Sequence, residues 1–273
     1  RCPSKCRGGV VQRKVLALLA LCSRTSKGLK RHSAPANEEI RRTMNDSLLV
    51  PKTDILPPAQ RRLWPLLAPT LSLGYVLYGG TAIALRLGHR ESVDFDFFTE
   101  ARLSQEALYD RMPFLNETEV VKQSRDSLTV MVPPTDSSNQ TVMLSFFGEI
   151  SFGRFGEPSV THDGVLCVAS MIDLLATKLK VILQRAESKD YRDIAAILEA
   201  GTDLARGLVV ARSMFAPTFQ PSESLRALVF FEDGDLLNLS EGNRSILVNA
   251  VHKIQGEDLE ERPGPVSRVL SGK

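Results

Sequence analysis

Two short stretches carry residue types that together could hold a metal-bound triphosphate. Asp94 and Asp96 stand two apart within Ser92-Val-Asp-Phe-Asp-Phe-Phe98, an alternating run that predicts a strand. Residues two apart on a strand share a face. Both carboxylates then lie side by side, with Val93, Phe95 and Phe97 turned into the core. Neighbouring carboxylates repel unless a cation sits between them. Mg²⁺ takes oxygens of this kind and completes its shell with phosphates and waters, and Mn²⁺ suits the same donors. Upstream, Gly79, Gly80 and Thr81 form a tight turn between a short apolar strand and a helix. Glycine admits a phosphate close to the backbone, and a helix N-terminus offers it free N–H groups. Arg90, beside His89, adds a cation near the same place. Alone, a DxD pair is a solvated edge and a Gly-Gly is a turn. On neighbouring elements, in this order, they describe a site for a metal ion and an NTP.

The elements that must position these residues follow from spacing. A helix begins at Pro57-Pro58 and runs to Gly74, followed by a strand over 75–78 and a helix over 81–87 that Gly88 stops. A helix over 104–112 has Ser104 as its N-cap. Strands are expected over 119–123, 128–132 and 142–147. Helical spacing then takes over, at 170–184, 188–199, 203–214, 221–229 and 243–255, and Glu232 to Asp235 reads as a turn. The fold class is therefore α+β: a small mixed-sheet core over 44–165 with flanking helices, a helical C-terminal region over 166–256, and a flexible tail over 257–273.

A second set of candidates lies in that helical region. Met171, Leu174, Leu175, Lys178 and Ile182 share one helix face, which places Lys178 inside an apolar stripe. A lysine there either finds a partner or snorkels to water. Lys180 points elsewhere, as a surface residue. Asp190 and Asp193 are three apart on the next helix and share a face; for Asp190 the alternative is stabilisation of the helix dipole. Arg185, Lys189 and Arg192 could contact an RNA backbone or be solvated charges.

Charge is distributed unevenly. Residues 1–43 hold eleven of the 34 Lys and Arg and two of the 32 Asp and Glu, a net of +9; the remaining 23 basic and 30 acidic residues leave the body at −7. That body does not favour a broad RNA-binding surface. The front segment has one short apolar run, Val15 to Cys22, and loosely resembles a signal peptide without a cleavage site. It reads as disordered or non-native, with Met44 as the natural start and a nucleic-acid-binding tail as the alternative. Three of the four cysteines lie in the first 22 residues, which excludes a disulfide-stapled fold, and Cys2 and Cys6 lack further zinc ligands. No apolar run reaches 18 residues, so no membrane span is expected and a cytoplasmic location is.

The run Tyr78-Gly-Gly-Thr-Ala-Ile-Ala-Leu-Arg-Leu-Gly-His-Arg-Glu-Ser-Val-Asp-Phe-Asp-Phe-Phe98 resembles the signature of the AbiEii/AbiGii toxin family of nucleotidyltransferases, within the DNA polymerase β-like superfamily. The likeness continues in Asp173-Leu-Leu-Ala-Thr-Lys-Leu-Lys180 and Lys189-Asp-Tyr-Arg-Asp-Ile194. It implies a toxin of a toxin–antitoxin or abortive-infection system that transfers NMP from an NTP to an acceptor hydroxyl, with a tRNA 3′ end as one acceptor. It further implies Asp94 and Asp96 on Mg²⁺, and Gly79, Gly80, Thr81, Arg90 and Lys178 on the nucleotide. Asp190 or Asp193 would orient Lys178 or the attacking hydroxyl, and a cognate antitoxin would be the protein partner. One departure is visible. Many polymerase β-like enzymes carry a third carboxylate on a later strand, whereas Val142 to Phe147 offers Ser145, with Glu149 just beyond. The competing functions are transfer to a protein or small molecule, an NTP-binding regulator without turnover, and an antitoxin-binding partner with no chemistry.

Overall fold

The computed structural model describes residues 48–134 and 140–254, together with Leu259, Ser267, Arg268 and Leu270. The basic front segment and Met44 lie outside the described residues. Ser47 to Lys273 form one compact unit.

An eight-stranded mixed sheet runs through it. The strands are β1 (Leu48–Leu49), β2 (Val76–Tyr78), β3 (Phe95–Phe98), β4 (Glu119–Gln123), β5 (Ser127–Val132), β6 (Val142–Phe147), β7 (Ser159–Thr161) and β8 (Cys167–Val168). Their order is β1-β7-β8-β2-β3-β6-β5-β4. β2 pairs antiparallel with β3, and β3 pairs parallel with β6. Phe95, Phe97 and Phe146 point from these central strands into the core. Phe97 stacks on Phe146 at a centroid separation of 5.3 Å, and Tyr75 meets Phe146 edge-on at 5.5 Å.

The helices are α1 (Pro58–Leu63), α2 (Pro69–Ser72), α3 (Gly79–Leu87), α4 (Gln105–Arg111), α5 (Met171–Val181), α6 (Ser188–Glu199), α7 (Leu204–Met214), α8 (Pro221–Ala227) and α9 (Glu241–His252). The mixed α/β architecture expected from the sequence is the one found. Ser104 caps α4 by accepting the Ala107 N–H, as its position suggested. Between α5 and α7 the helices approach closely at Gly207, where a Cβ would lie 2.5 Å from Leu175 Cδ2.

Four local expectations need correction. The first helix is broken into α1, a 3₁₀ turn over Trp64–Leu67, and α2. Pro65 and Pro69 remove the N–H groups a continuous helix would need. Gly79 and Gly80 are not a separate turn but the first residues of α3. β3 begins at Phe95, and Val93 is 48% exposed rather than in the core. β1, β7 and β8 are two or three residues long, too short to show a period. In the tail region, Ser267 pairs with Arg154 in an antiparallel bridge, and Leu270 is buried with its N–H donated to Glu100.

One buried group costs the fold stability. Gln60 on α1 is fully buried, and among the described residues neither its Nε2 nor its Oε1 has a hydrogen-bond partner. An unsatisfied buried amide carries a desolvation penalty of about 1–3 kcal/mol. Gln60→Met keeps the length of the side chain and removes both polar atoms. It is expected to raise the urea midpoint of the protein, measured by tryptophan fluorescence and circular dichroism.

Candidate active site

The site is built where β2, α3 and the start of β3 meet. Asp96 lies opposite Tyr78 on one side and Ser145 on the other. Asp94 immediately precedes β3 and receives a hydrogen bond from the Met143 backbone. Ser145 bonds to the Asp96 carboxylate and accepts from Thr129 at 3.4 Å. The neighbour of Asp96 on β6 is thus a hydroxyl and not a third acid.

Gly79 has a left-handed φ of +74°, and a Cβ there would sit 2.5 Å from Asp96 Oδ2. A Cβ at Gly80 would sit 2.4 Å from an Arg90 guanidinium nitrogen and 3.2 Å from Ser92 Oγ. Both positions therefore require the absence of a side chain. Thr81 is buried, and its hydroxyl donates to the Asp94 carbonyl and lies 2.9 Å from Ser92 Oγ. This side chain fixes the backbone that delivers Asp94. No side chain caps α3, whereas Ser104, Ser170, Asp203 and Ser240 cap their own helices. The first-turn N–H groups of α3 thus have no side-chain cap of their own, and the backbone at Gly79 lies beside Asp96.

Asp94 and Asp96 both titrate above the ordinary carboxylate range. Burial is the main cause for each; for Asp96 the charge of Asp94 adds to it, while Lys178, Arg185 and the Ser145 bond act the other way. Two partly desolvated carboxylates, one of them raised further by its neighbour's charge, are a fit for a hard divalent cation with its remaining ligands from phosphate and water. No group of three or more His, Cys, Asp or Glu able to enclose a metal occurs among the described residues.

Behind this pair lies a buried ionic network. Asp193, with no exposed surface, accepts from His89 Nε2 at 2.7 Å and from Arg90 at 2.6 and 2.8 Å, and it pairs with Lys178 Nζ at 2.7 Å. Asp190, equally buried, accepts from Lys178 Nζ at 2.5 Å and from Arg185 at 2.8 and 3.3 Å. Burial alone would raise the Asp193 pKa. The His89 and Arg90 bonds and the charges of Lys178 and Arg90 override it and hold this carboxyl well below the usual range. Lys178, only 6% exposed, does not snorkel; it is held between the two aspartates. Neither Asp190 nor Asp193 has surface left for an acceptor hydroxyl, so their geometry is that of cation-positioning groups.

The turn at Glu232–Asp235 has a use that its composition did not reveal. Asp235 accepts the Ser188 N–H at 2.5 Å and the Ser188 hydroxyl at 2.8 Å, which caps α6 from outside. Gly234 makes this approach feasible, since a Cβ there would overlap the Ala186 carbonyl at 2.0 Å.

The sequence profile of the family described as nucleotidyl transferase AbiEii toxin, type IV toxin–antitoxin system, matches residues 62–244. The chain belongs to the AbiEii family. That span contains the carboxylates, the glycines and the whole ionic network. A protein of Aquifex aeolicus strain VF5, described only as uncharacterized, is 29% identical over 174 residues, covering 61% of this chain and 80% of its own. Two solved structures share the fold. One is a candidate nucleotidyltransferase from H. pylori, at 20% identity and a TM-score of 0.50, covering 74% of this chain and 94% of its own. The other is the nucleotidyltransferase toxin MenT4 of Mycobacterium tuberculosis H37Rv, at 14% identity and a TM-score of 0.51, covering 73% of this chain and 84% of its own. This AbiEii protein is thus a nucleotidyltransferase of a toxin family, with an NTP as substrate. None of its described helices is long and apolar enough to cross a membrane.

The two kinds of carboxylate should answer substitution with opposite signs. Asp96 titrates high, so its charged form weakens the fold at neutral pH. Without metal, Asp96→Asn should raise the denaturation midpoint at pH 7, and the gain should shrink as the pH falls through the carboxylate range. Asp193 titrates low. Its contribution is complete above about pH 4 and fades below it, so Asp193→Asn should cost about 3–5 kcal/mol at pH 7 and less in acid. Denaturant titrations of both variants from pH 3 to 8 measure the two slopes.

Proposed function

We propose that this AbiEii nucleotidyltransferase transfers NMP from an NTP, with Mg²⁺, to the 3′ hydroxyl of tRNA. The observation that carries the reading is the meeting of the Asp94–Asp96 pair with the side-chain-free, uncapped start of α3, backed by the Lys178 network. Asp94 and Asp96 would hold Mg²⁺, which when bound offsets charge on the phosphates and on departing pyrophosphate.

The chain's own residues do the rest. The first N–H groups of α3 donate to phosphate oxygens, and Gly79 and Gly80 let Asp96 and Arg90 stand against that same turn. Lys178 supplies positive charge from a position fixed by Asp190 and Asp193. Ser145 and the Met143 N–H orient the two carboxylates before substrate arrives. A preset array of this kind stabilises developing charge without reorganising at the moment of reaction. Acceptor RNA would meet a mildly acidic body, so its contacts would be local ones near Lys189 and Arg192, whose side of α6 faces outward. A cognate antitoxin is the protein partner that the family description implies.

The test is incubation with Mg²⁺, total RNA and each α-³²P-labelled NTP in turn, alongside Asp94→Ala/Asp96→Ala. Label in a tRNA-sized band that the double variant loses is the expected result. Label in protein or in a small molecule would redirect the acceptor, and binding of NTP with no label anywhere would replace transfer by a regulatory role.

A further inference from the structure

Arg185 stands between α5 and α6, and its side chain is 45% exposed. Exposure of this degree ordinarily leaves an arginine free to wander, but this one is held along one edge. Its Nε donates to Asp190 Oδ2 at 2.8 Å and its Nη2 to Asp190 Oδ1 at 3.3 Å. Lys178 Nζ donates to that same Oδ1 at 2.5 Å. One fully buried carboxylate therefore fixes two cations side by side.

The pairing leaves charge over. Lys178, Arg90 and Arg185 bring three positive charges to Asp190 and Asp193, which bring two negative ones. Glu187 approaches Arg185 only at 3.5 Å and is itself paired with Lys189 at 2.7 Å. Lys178 in turn reaches Asp193, which holds Arg90, and a Cβ at Gly80 in the first turn of α3 would lie 2.4 Å from the Arg90 guanidinium. A guanidinium has five donors in a fixed fork. Asp190 takes two, and Nη1 makes no hydrogen bond among the described residues. A planar donor edge, locked beside Lys178 and joined through Asp193 and Arg90 to the first turn of α3, matches bidentate recognition of phosphate.

We propose that Arg185 binds the β- and γ-phosphates of the NTP, the group that leaves as pyrophosphate, and that Asp190 is its positioning residue. This rests on the nucleotidyl-transfer reading and assigns Arg185 to the nucleotide rather than to RNA. Its chemistry makes a prediction independent of turnover, because inorganic pyrophosphate alone presents the groups concerned.

Isothermal titration of the full chain with pyrophosphate in Mg²⁺ tests it, using wild type, Arg185→Ala and Arg185→Lys, with a nucleoside monophosphate as the comparison ligand. Loss of a charge-assisted pair of bonds should weaken pyrophosphate binding about tenfold or more in Arg185→Ala. Arg185→Lys, which keeps the charge but loses the fork, should fall between. Monophosphate affinity should stay put, and in transfer assays the KM for NTP should rise while that for acceptor RNA does not. Pyrophosphate affinity within twofold of wild type in either folded variant overturns the assignment, as does a rise confined to the KM for RNA. Arg185→Lys carries the test if Arg185→Ala fails to fold. Failure of the transfer reading itself would appear separately, as wild-type protein that labels no acceptor.

Discussion

The buried ionic network of this protein is fastened to one carboxylate. Asp193 has no contact with water, and it is bonded to His89, Arg90 and Lys178. An isolated charge so deeply buried would be prohibitively costly. It persists because hydrogen-bond donors from two distant parts of the chain converge on it, His89 and Arg90 from the loop after α3 and Lys178 from α5. The consequence is geometric. The loop that leads into Asp94 and the helix that carries Lys178 cannot drift apart without stranding that charge. The position of the phosphate-facing residues is enforced by electrostatic cost, not by apolar packing alone.

The front of the site shows the reverse economy. Asp94 and Asp96 are kept partly desolvated and adjacent, and Ser145 and the Met143 backbone hold them in that uncomfortable state. Gly79 is the complement of this arrangement, since its missing side chain is what allows Asp96 to stand where it does. Stability spent at the carboxylates and stability gained at the buried network belong to neighbouring layers of one structure. Such local cost at a functional site is what a stability–function trade-off looks like at the level of residues. Ser145 adds a detail. Its hydroxyl bonds to Asp96 and adds no further negative charge beside the pair.

Much of this was legible beforehand, and the limits have physical causes. The strand carrying Asp96 and the helices carrying Lys178, Asp190 and Asp193 are long enough for their periods to show. Helix α6 was expected over the residues it occupies. The three shortest strands gave no period, and the break at Pro65 and Pro69 hid inside an otherwise helical composition. The roles of Asp190 and Asp193 were open because spacing places them on one face without saying what that face meets. His89 and Arg90 lie 104 and 103 positions from Asp193, and no local pattern encodes such a partnership. The same is true of Asp235, whose acidic neighbours suggested a solvated turn while its bonds to Ser188 make it a helix cap. Gln60 illustrates the converse: amphipathic spacing predicts that α1 buries a face, but not that a polar amide is buried with it and left unpaired.

The separation of Asp193 from the loop it secures also governs when the enzyme comes into being. During synthesis the glycines, Asp94 and Asp96 leave the ribosome well before α6 does. Until then neither Asp190 nor Asp193 is there to hold Arg90 and Lys178. A chain cut short between β3 and α6 carries the Asp94–Asp96 pair without the two carboxylates that fix the cations behind it. The ionic network behind the pair is thus a late-completed part of the chain, assembled only once α6 packs against α3 and α5.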